Sequence, residues 1–119
     1  MNDDIYLLLG ASEKLNSRVV SLARCLILAL LAYFVDGIQF RELKTALKMS
    51  DGKLISNLNE LRAMGYIVKS EAEVDNRKID VYSLTAKGRT DLSKIVAWMK
   101  LVQKVANEGE EKCQMILTR

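Results

Sequence analysis

Few residues in this sequence have side chains suited to acid–base or metal chemistry. The chain has 119 residues, no histidine and only two cysteines, Cys25 and Cys113, which are far apart and form no CxxC pattern. Histidine is the commonest general base and a frequent metal ligand. Its absence, together with the lack of a phosphate loop or a nucleophile–base pair, argues against an enzyme, a metal site and a cofactor. The isolated cysteines argue against a disulfide framework and favour the reducing cytoplasm.

The remaining polar candidates have side chains suited to binding. They fall in two short segments and comprise Ser50, Gly52, Lys53, Ser56, Asn57, Arg77 and Lys78. An asparagine amide matches the edge of adenine, and a serine hydroxyl accepts several bases. Long cations such as Arg77 and Lys78 can meet phosphates or enter a minor groove. Taken singly, each residue is better explained as ordinary solvated surface, so only their joint arrangement favours nucleic acid.

The charge distribution is compatible with a polyanionic partner. The net charge is +3, but five of the 15 acidic residues lie within residues 1–4 and 108–119, together with only two of the 18 basic residues. Residues 5–107 therefore carry 16 Lys and Arg against 10 Asp and Glu. Neutralisation of phosphates supplies most nonspecific affinity for nucleic acids. Many soluble domains have a similar charge, so charge alone does not decide the function.

The first half of the chain is predicted to be helical. Half of all residues are hydrophobic and there is no proline, which indicates one domain over residues 1–119, with its core at about 15–86. Residues 3–10 form either a helical turn or a strand. A long helix is predicted from about Leu15 to Val35, ended by Asp36-Gly37. Its apolar run of 11 residues is shorter than the roughly 20 of a membrane span, so no membrane association is expected.

Two short helices separated by a tight turn are predicted next. A strand fragment at 38–40 leads into a helix over Phe40–Lys48, and residues 49–52 form a turn. Ser50 is a suitable N-cap for a third helix over about 51–64. Its inner face has three leucines that are predicted to be buried, namely Leu54, Leu58 and Leu61. Gly65 ends the helix.

A hairpin and a final helix complete the prediction. Residues 66–74 and 79–84 alternate apolar and polar side chains around a polar tip, Asp75-Asn76-Arg77-Lys78, which gives a wing at about 74–79. Thr85 is a suitable N-cap for a helix from Ala86 to about Asn107, after which the chain is expected to fray. The apolar stripe on this helix is predicted to form a dimer interface through Leu92, Val96, Met99, Val102 and Ala106. Packing of the stripe against the chain's own N-terminal helix is the alternative, and both can hold.

This order of elements predicts a winged helix-turn-helix: mainly α, with a small β-hairpin and long terminal helices used for dimerisation. Residues 15–105 resemble compact winged-helix regulators related to the MarR and ArsR groups. The resemblance rests on FRELKTAL, SDGKLISNLNELRAMGYI and VYSLTAKGR. It implies a homodimeric regulator of bacteria or archaea that binds duplex DNA. The positions matching its reading helix and wing are Gly52, Lys53, Ser56, Asn57, Arg77 and Lys78.

The sequence also departs from these regulators. Many of them have histidine where Asn57 stands, so a base preference cannot be transferred. The cysteines and histidines that mark the metal-sensing members are absent, and acidic residues such as Glu73 and Asp75 flank the wing. A winged-helix module that binds a protein in a larger complex is the alternative function. The sequence leaves open the operator and the existence of a small-molecule effector.

Overall fold

The computed structural model describes residues 2–118 and contains five helices and a three-stranded antiparallel sheet. The elements are α1 (Asp3–Glu13), α2 (Leu22–Tyr33), β1 (Ile38–Gln39), α3 (Phe40–Leu47), α4 (Asp51–Ala63), β2 (Ile67–Val74), β3 (Arg77–Leu84) and α5 (Ala86–Leu117). This is the winged helix-turn-helix order that the sequence predicted. The described chain divides into two compact units, residues 17–92 and residues 2–16 with 93–118.

The N-terminal region differs from the sequence prediction. Residues 3–10, which the sequence left undecided, belong to α1, and Asn2 caps this helix by accepting from the backbone amides of Asp4 and Ile5. The predicted long helix from Leu15 is wrong, because α2 begins only at Leu22 with Ser21 as its N-cap. Residues 16–21 (NSRVVS) contain an asparagine, two serines and two consecutive valines, which form helices less readily than alanine or leucine.

The core of the unit formed by residues 17–92 includes the three leucines predicted for α4, whereas Leu22 and Leu26, which the apolar spacing of the predicted long helix placed on its buried face, are exposed. Helices α2, α3 and α4 and the sheet contribute its buried side chains, which include Ile27, Leu28, Leu31, Leu43, Leu54, Leu58, Leu61, Ile67 and Tyr82. Burying a leucine or isoleucine side chain stabilises a fold by about 1.5–3 kcal/mol. The three predicted leucines of α4 are all buried, which fixes the rotation of this helix and hence the face that it exposes.

The wing is a tighter hairpin than the sequence predicted. Strand β3 lies between β1 and β2, and the β2–β3 ladder runs from Ile67 opposite Leu84 to Val74 opposite Arg77. Only Asp75 and Asn76 form the turn, with φ angles of 50° and 63°. Two positive φ angles are the signature of a two-residue type I′ turn, which Asp and Asn tolerate better than most residues. The predicted four-residue tip is therefore wrong, because Arg77 and Lys78 open β3.

The last helix is longer than predicted. It was expected to end near Asn107 and fray, but α5 continues to Leu117. The added segment holds glutamate, lysine, glutamine, methionine and leucine, which are good helix formers, and Gly109 is accommodated inside the helix. Within residues 2–118, no helix is both long and apolar enough to cross a membrane.

Candidate nucleic-acid interface

The turn between α3 and α4 is held by local hydrogen bonds and one ion pair. Lys48 ends α3 in the left-handed conformation, with φ of 53°. The Ser50 hydroxyl accepts from the amide of Lys53 at 3.3 Å, which confirms its predicted role as N-cap. Lys44 Nζ lies 2.7 Å from Asp51 Oδ1 and joins the two helices across the turn. These contacts set the angle at which α4 leaves the turn.

The outer face of α4 presents a small group of exposed side chains. Gly52, Lys53 and Ser56 are exposed, as the sequence predicted, and they lie in the N-terminal half of the helix. Asn57 is half-buried, and both ends of its amide are bonded within the protein. Its Nδ2 donates to the Lys53 carbonyl oxygen at 2.9 Å, and its Oδ1 accepts from Arg24 Nε at 3.0 Å. Lys53 and Ser56 therefore present accessible polar groups on this face, whereas the Asn57 amide does not.

Two arginines that the sequence analysis did not single out flank α4. Arg18 forms an ion pair with Glu60, and Arg24 donates to Asn57 and to the carbonyl oxygen of Arg18. No local pattern marks these residues, because the Arg24–Asn57 contact joins positions 33 apart in the sequence. The predicted long helix included both arginines, whereas in the structure Arg18 precedes α2.

The wing brings its two predicted cations close to a third. Arg77 and Lys78 are exposed at the start of β3, and with Arg41 of α3 they line a surface groove of about 590 Å³. Asp75 also lines this groove. Because α3 follows β1 directly, Arg41 reaches the wing from the helix-turn-helix side. Arg41 is a candidate phosphate contact that the sequence analysis missed.

Thr85 and the first turn of α5 fix the position of α4. Thr85 caps α5 by accepting from the Gly88 amide at 3.0 Å, as predicted, and its hydroxyl also lies 2.6 Å from the Gly65 carbonyl oxygen. Lys87 Nζ donates to the Met64 carbonyl oxygen at 2.9 Å, at the C-terminal end of α4. Gly88 has no room for a Cβ, because such an atom would overlap the Tyr66 carbonyl oxygen. Residues 85–88 (TAKG) therefore hold the start of α5 against the C-terminal end of α4.

Comparison with protein families decides the classification. Residues 23–102 match the family described as winged helix DNA-binding domain, which covers more than half of the chain. The chain belongs to this family. No curated protein sequence matches the chain significantly.

Solved winged-helix structures share the fold along most of the chain. YusO from Bacillus subtilis superposes with a TM-score of 0.68 at 20% identity, covering 97% of this chain and 80% of YusO. A variant of Staphylococcus aureus MepR bound to an oligodeoxyribonucleotide gives 0.64 at 18% identity, covering 96% and 87%. A MarR-family transcriptional regulator from Rhodococcus gives 0.62 at 18% identity, covering 93% and 84%. At these identities the likeness establishes a common fold, in agreement with the MarR resemblance of the sequence.

This winged helix has a second surface of interest on α5. Four of the five predicted dimer residues are exposed, namely Val96, Met99, Val102 and Ala106, and Leu92 is half-buried. Another face of α5, which includes Trp98 and Leu101, lines a cleft of about 820 Å³. Tyr6 and Leu7 of α1 line the other side of this cleft. Lys104 and Asp4 connect α5 to α1 by an ion pair of 3.1 Å. The residues of the predicted dimer stripe and those that line the cleft with α1 thus lie on different faces of α5.

Proposed function

We propose that this protein is a transcription regulator that binds duplex DNA sequence-specifically as a homodimer. The observation that carries the proposal is that a member of a DNA-binding domain family exposes both the N-terminal half of α4 and a cationic wing. The MepR variant of the same fold was solved with an oligodeoxyribonucleotide, which supports the same use of this chain. Such a regulator would work in the cytoplasm.

In this proposal α4 lies in the major groove. A helix of about 10–12 Å diameter fills a groove of about 12 Å width, so its outer face meets the base edges. Gly52 lets the backbone approach, while Lys53 and Ser56 supply donors and acceptors. Ser50 and Asn57 belong to the same interface, at the start and on the flank of α4.

The wing contacts the sugar–phosphate backbone or the minor groove through Arg77 and Lys78. Both side chains are exposed, and Arg41 adds a third positive charge to the groove that they line. Phosphate contacts position a protein on the duplex, whereas base contacts specify the sequence. We therefore assign general affinity to the wing and sequence discrimination to α4.

The homodimer is proposed from apolar surface that residues 2–118 leave uncovered. Along α5, spacings of three bring together on one side the exposed residues Val96 (42%), Met99 (45%) and Val102 (38%). Soluble monomers rarely leave contiguous apolar surface of this kind exposed, and twofold pairing is the commonest way to cover it.

A salt titration of duplex binding tests the function. Fluorescence anisotropy with a labelled duplex should give an affinity that falls steeply with KCl concentration. Arg77→Ala should weaken binding to all sequences alike and lower the slope of log K against log salt by about one. The matched control is Lys112→Ala, which removes one exposed charge near the end of α5 and should leave the slope unchanged. A wild-type protein with no affinity for any duplex would reject the proposal in favour of a protein-binding module.

A further inference from the structure

Arg24 is held in a fixed position beside the outer face of α4. Its Nε donates to Asn57 Oδ1 at 3.0 Å, and one of its terminal nitrogens donates to the backbone carbonyl of Arg18. Arg24 lies in the first turn of α2, and its own amide donates to the Ser21 hydroxyl at 3.2 Å. The backbone of Arg24 is therefore fixed at the start of α2, and its guanidinium is held by two hydrogen-bond acceptors.

The positive charge of Arg24 has no anionic partner among residues 2–118. Both of its acceptors are neutral, whereas neighbouring cations are compensated: Arg18 pairs with Glu60 and Lys44 pairs with Asp51. A guanidinium has five N–H donors, and the two bonds of Arg24 leave three of them unused. A half-buried cation in this state gains most from an anionic acceptor supplied from outside the protein.

If α4 occupies a major groove, the Arg24 guanidinium lies beside a backbone phosphate. Asn57 lies on the flank of α4, not at the centre of its exposed face, so the guanidinium bonded to it also lies on that flank. A helix that fills the groove has its flanks against the two phosphate backbones. A preorganised guanidinium there loses little side-chain entropy on binding, which favours a strong contact.

We propose that Arg24 binds a backbone phosphate at the edge of the major groove. We further propose that Asn57 is a positioning residue that holds the Arg24 guanidinium and does not read a base. The inference rests on the proposed function, since it requires α4 to lie in the groove. It assigns to Asn57 a role different from the adenine contact that its residue type predicts.

The test compares variants of the two residues by duplex anisotropy across a KCl series, using a mixed-sequence duplex and a selected target. Arg24→Gln should weaken binding to both duplexes by about tenfold and lower the salt slope by about one. Asn57→Ala should weaken both duplexes in the same direction by a smaller factor. The double variant should bind like Arg24→Gln alone, because Asn57 acts through Arg24. Asn57→Asp places a carboxylate against Arg24 and should lower the affinity as much as Arg24→Gln while keeping the fold.

The control is Lys112→Gln, which removes an exposed positive charge near the end of α5, and it should leave the salt slope unchanged. Urea unfolding of each variant separates lost binding from lost folding. Wild-type affinity and slope in Arg24→Gln would overturn the inference while leaving the proposed function intact. The inference is also overturned if Asn57→Ala relaxes target discrimination at unchanged nonspecific affinity. If the wild-type chain binds no duplex at all, the proposed function fails, and the inference fails with it.

Discussion

The Cα atom of Gly88 lies so close to the carbonyl oxygen of Tyr66 that an added Cβ would overlap that oxygen and come within 2.8 Å of Leu84 Cδ1. One contact partner is backbone, which cannot rotate away as a flexible side chain can. The first turn of α5 is thereby fixed against the segment that joins α4 to β2. The position of α4 depends on this close approach.

Gly88→Ala should therefore destabilise the fold by about 1–3 kcal/mol, the usual cost of overpacking a tight site. The matched control is Gly109→Ala in the same helix, where an added Cβ would have no heavy atom within 4 Å. It should raise stability by roughly 0.5–1 kcal/mol, because alanine is the better helix former. Urea unfolding followed by circular dichroism measures both. Equal stability of the two variants would show that Gly88 is not packed tightly against Tyr66.

Ser56→Ala tests base reading by α4. The Ser56 side chain is exposed on the outer face of the helix and bonds to no other side chain within residues 2–118. Its removal should cost about 1–3 kcal/mol of affinity for the selected target and little for unrelated duplexes, since base contacts carry the discrimination. Competition binding with the two duplexes measures the ratio. An unchanged ratio would mean that Ser56 does not contact a base.

Cys25 should behave as an unreactive, half-buried thiol. Burial raises the pKa of Cys25, an effect that the backbone hydrogen bond at Ser21 only partly offsets, so less of the reactive thiolate is present at a given pH. At pH 8, an alkylating reagent should modify the exposed Cys113 first and Cys25 much more slowly. Mass spectrometry of Cys113→Ser and of Cys25→Ser isolates each rate. Peroxide-dependent loss of DNA binding that disappears in Cys25→Ser would contradict this expectation.

The raised pKa of Cys25 also sets the sign of a pH effect on stability. A folded state that favours the thiol is stabilised fully below the pKa of the unfolded thiol, and this contribution is lost as the pH rises through the higher folded pKa. Stability should therefore fall more at alkaline pH in the wild type than in Cys25→Ser.

Met99→Asp tests the dimer. It places a carboxylate in the exposed apolar stripe of α5 and should shift sedimentation from dimer to monomer. DNA affinity should fall as well, although no residue of α4 or the wing is changed, because a monomer retains only half of the contacts. Asn107→Asp adds the same charge at an exposed polar position of α5 and is the control. A wild-type chain that stays monomeric at high concentration and still binds tightly would refute the dimer.

The sequence predicted those parts of the fold that depend on local spacing. The leucines of α4 and the cap at Ser50 are confirmed, because apolar periodicity and capping chemistry act within a few residues. The two-residue wing turn and the late start of α2 were missed, since both depend on how polar and β-branched residues compete at an element boundary.

The candidate site was predictable only in part. The exposure of four predicted residues is as expected, namely Lys53, Ser56, Arg77 and Lys78. Their exposure follows from the rotation of α4 and from the position of the hairpin. The engagement of Asn57 by Arg24 could not be inferred, since it arises from the packing of α2 against α4. Tertiary contacts of this kind leave no pattern in a single sequence.

Selection of bound fragments from the host genome, followed by footprinting, tests the central claim most directly. The account predicts that enriched fragments share an inverted repeat whose half-sites lie about one helical turn, or 34 Å, apart. Protection should fall on one side of the duplex and weaken with added salt. Recovery of fragments no more often than random duplex, with no protected sequence, would contradict a sequence-specific DNA-binding function.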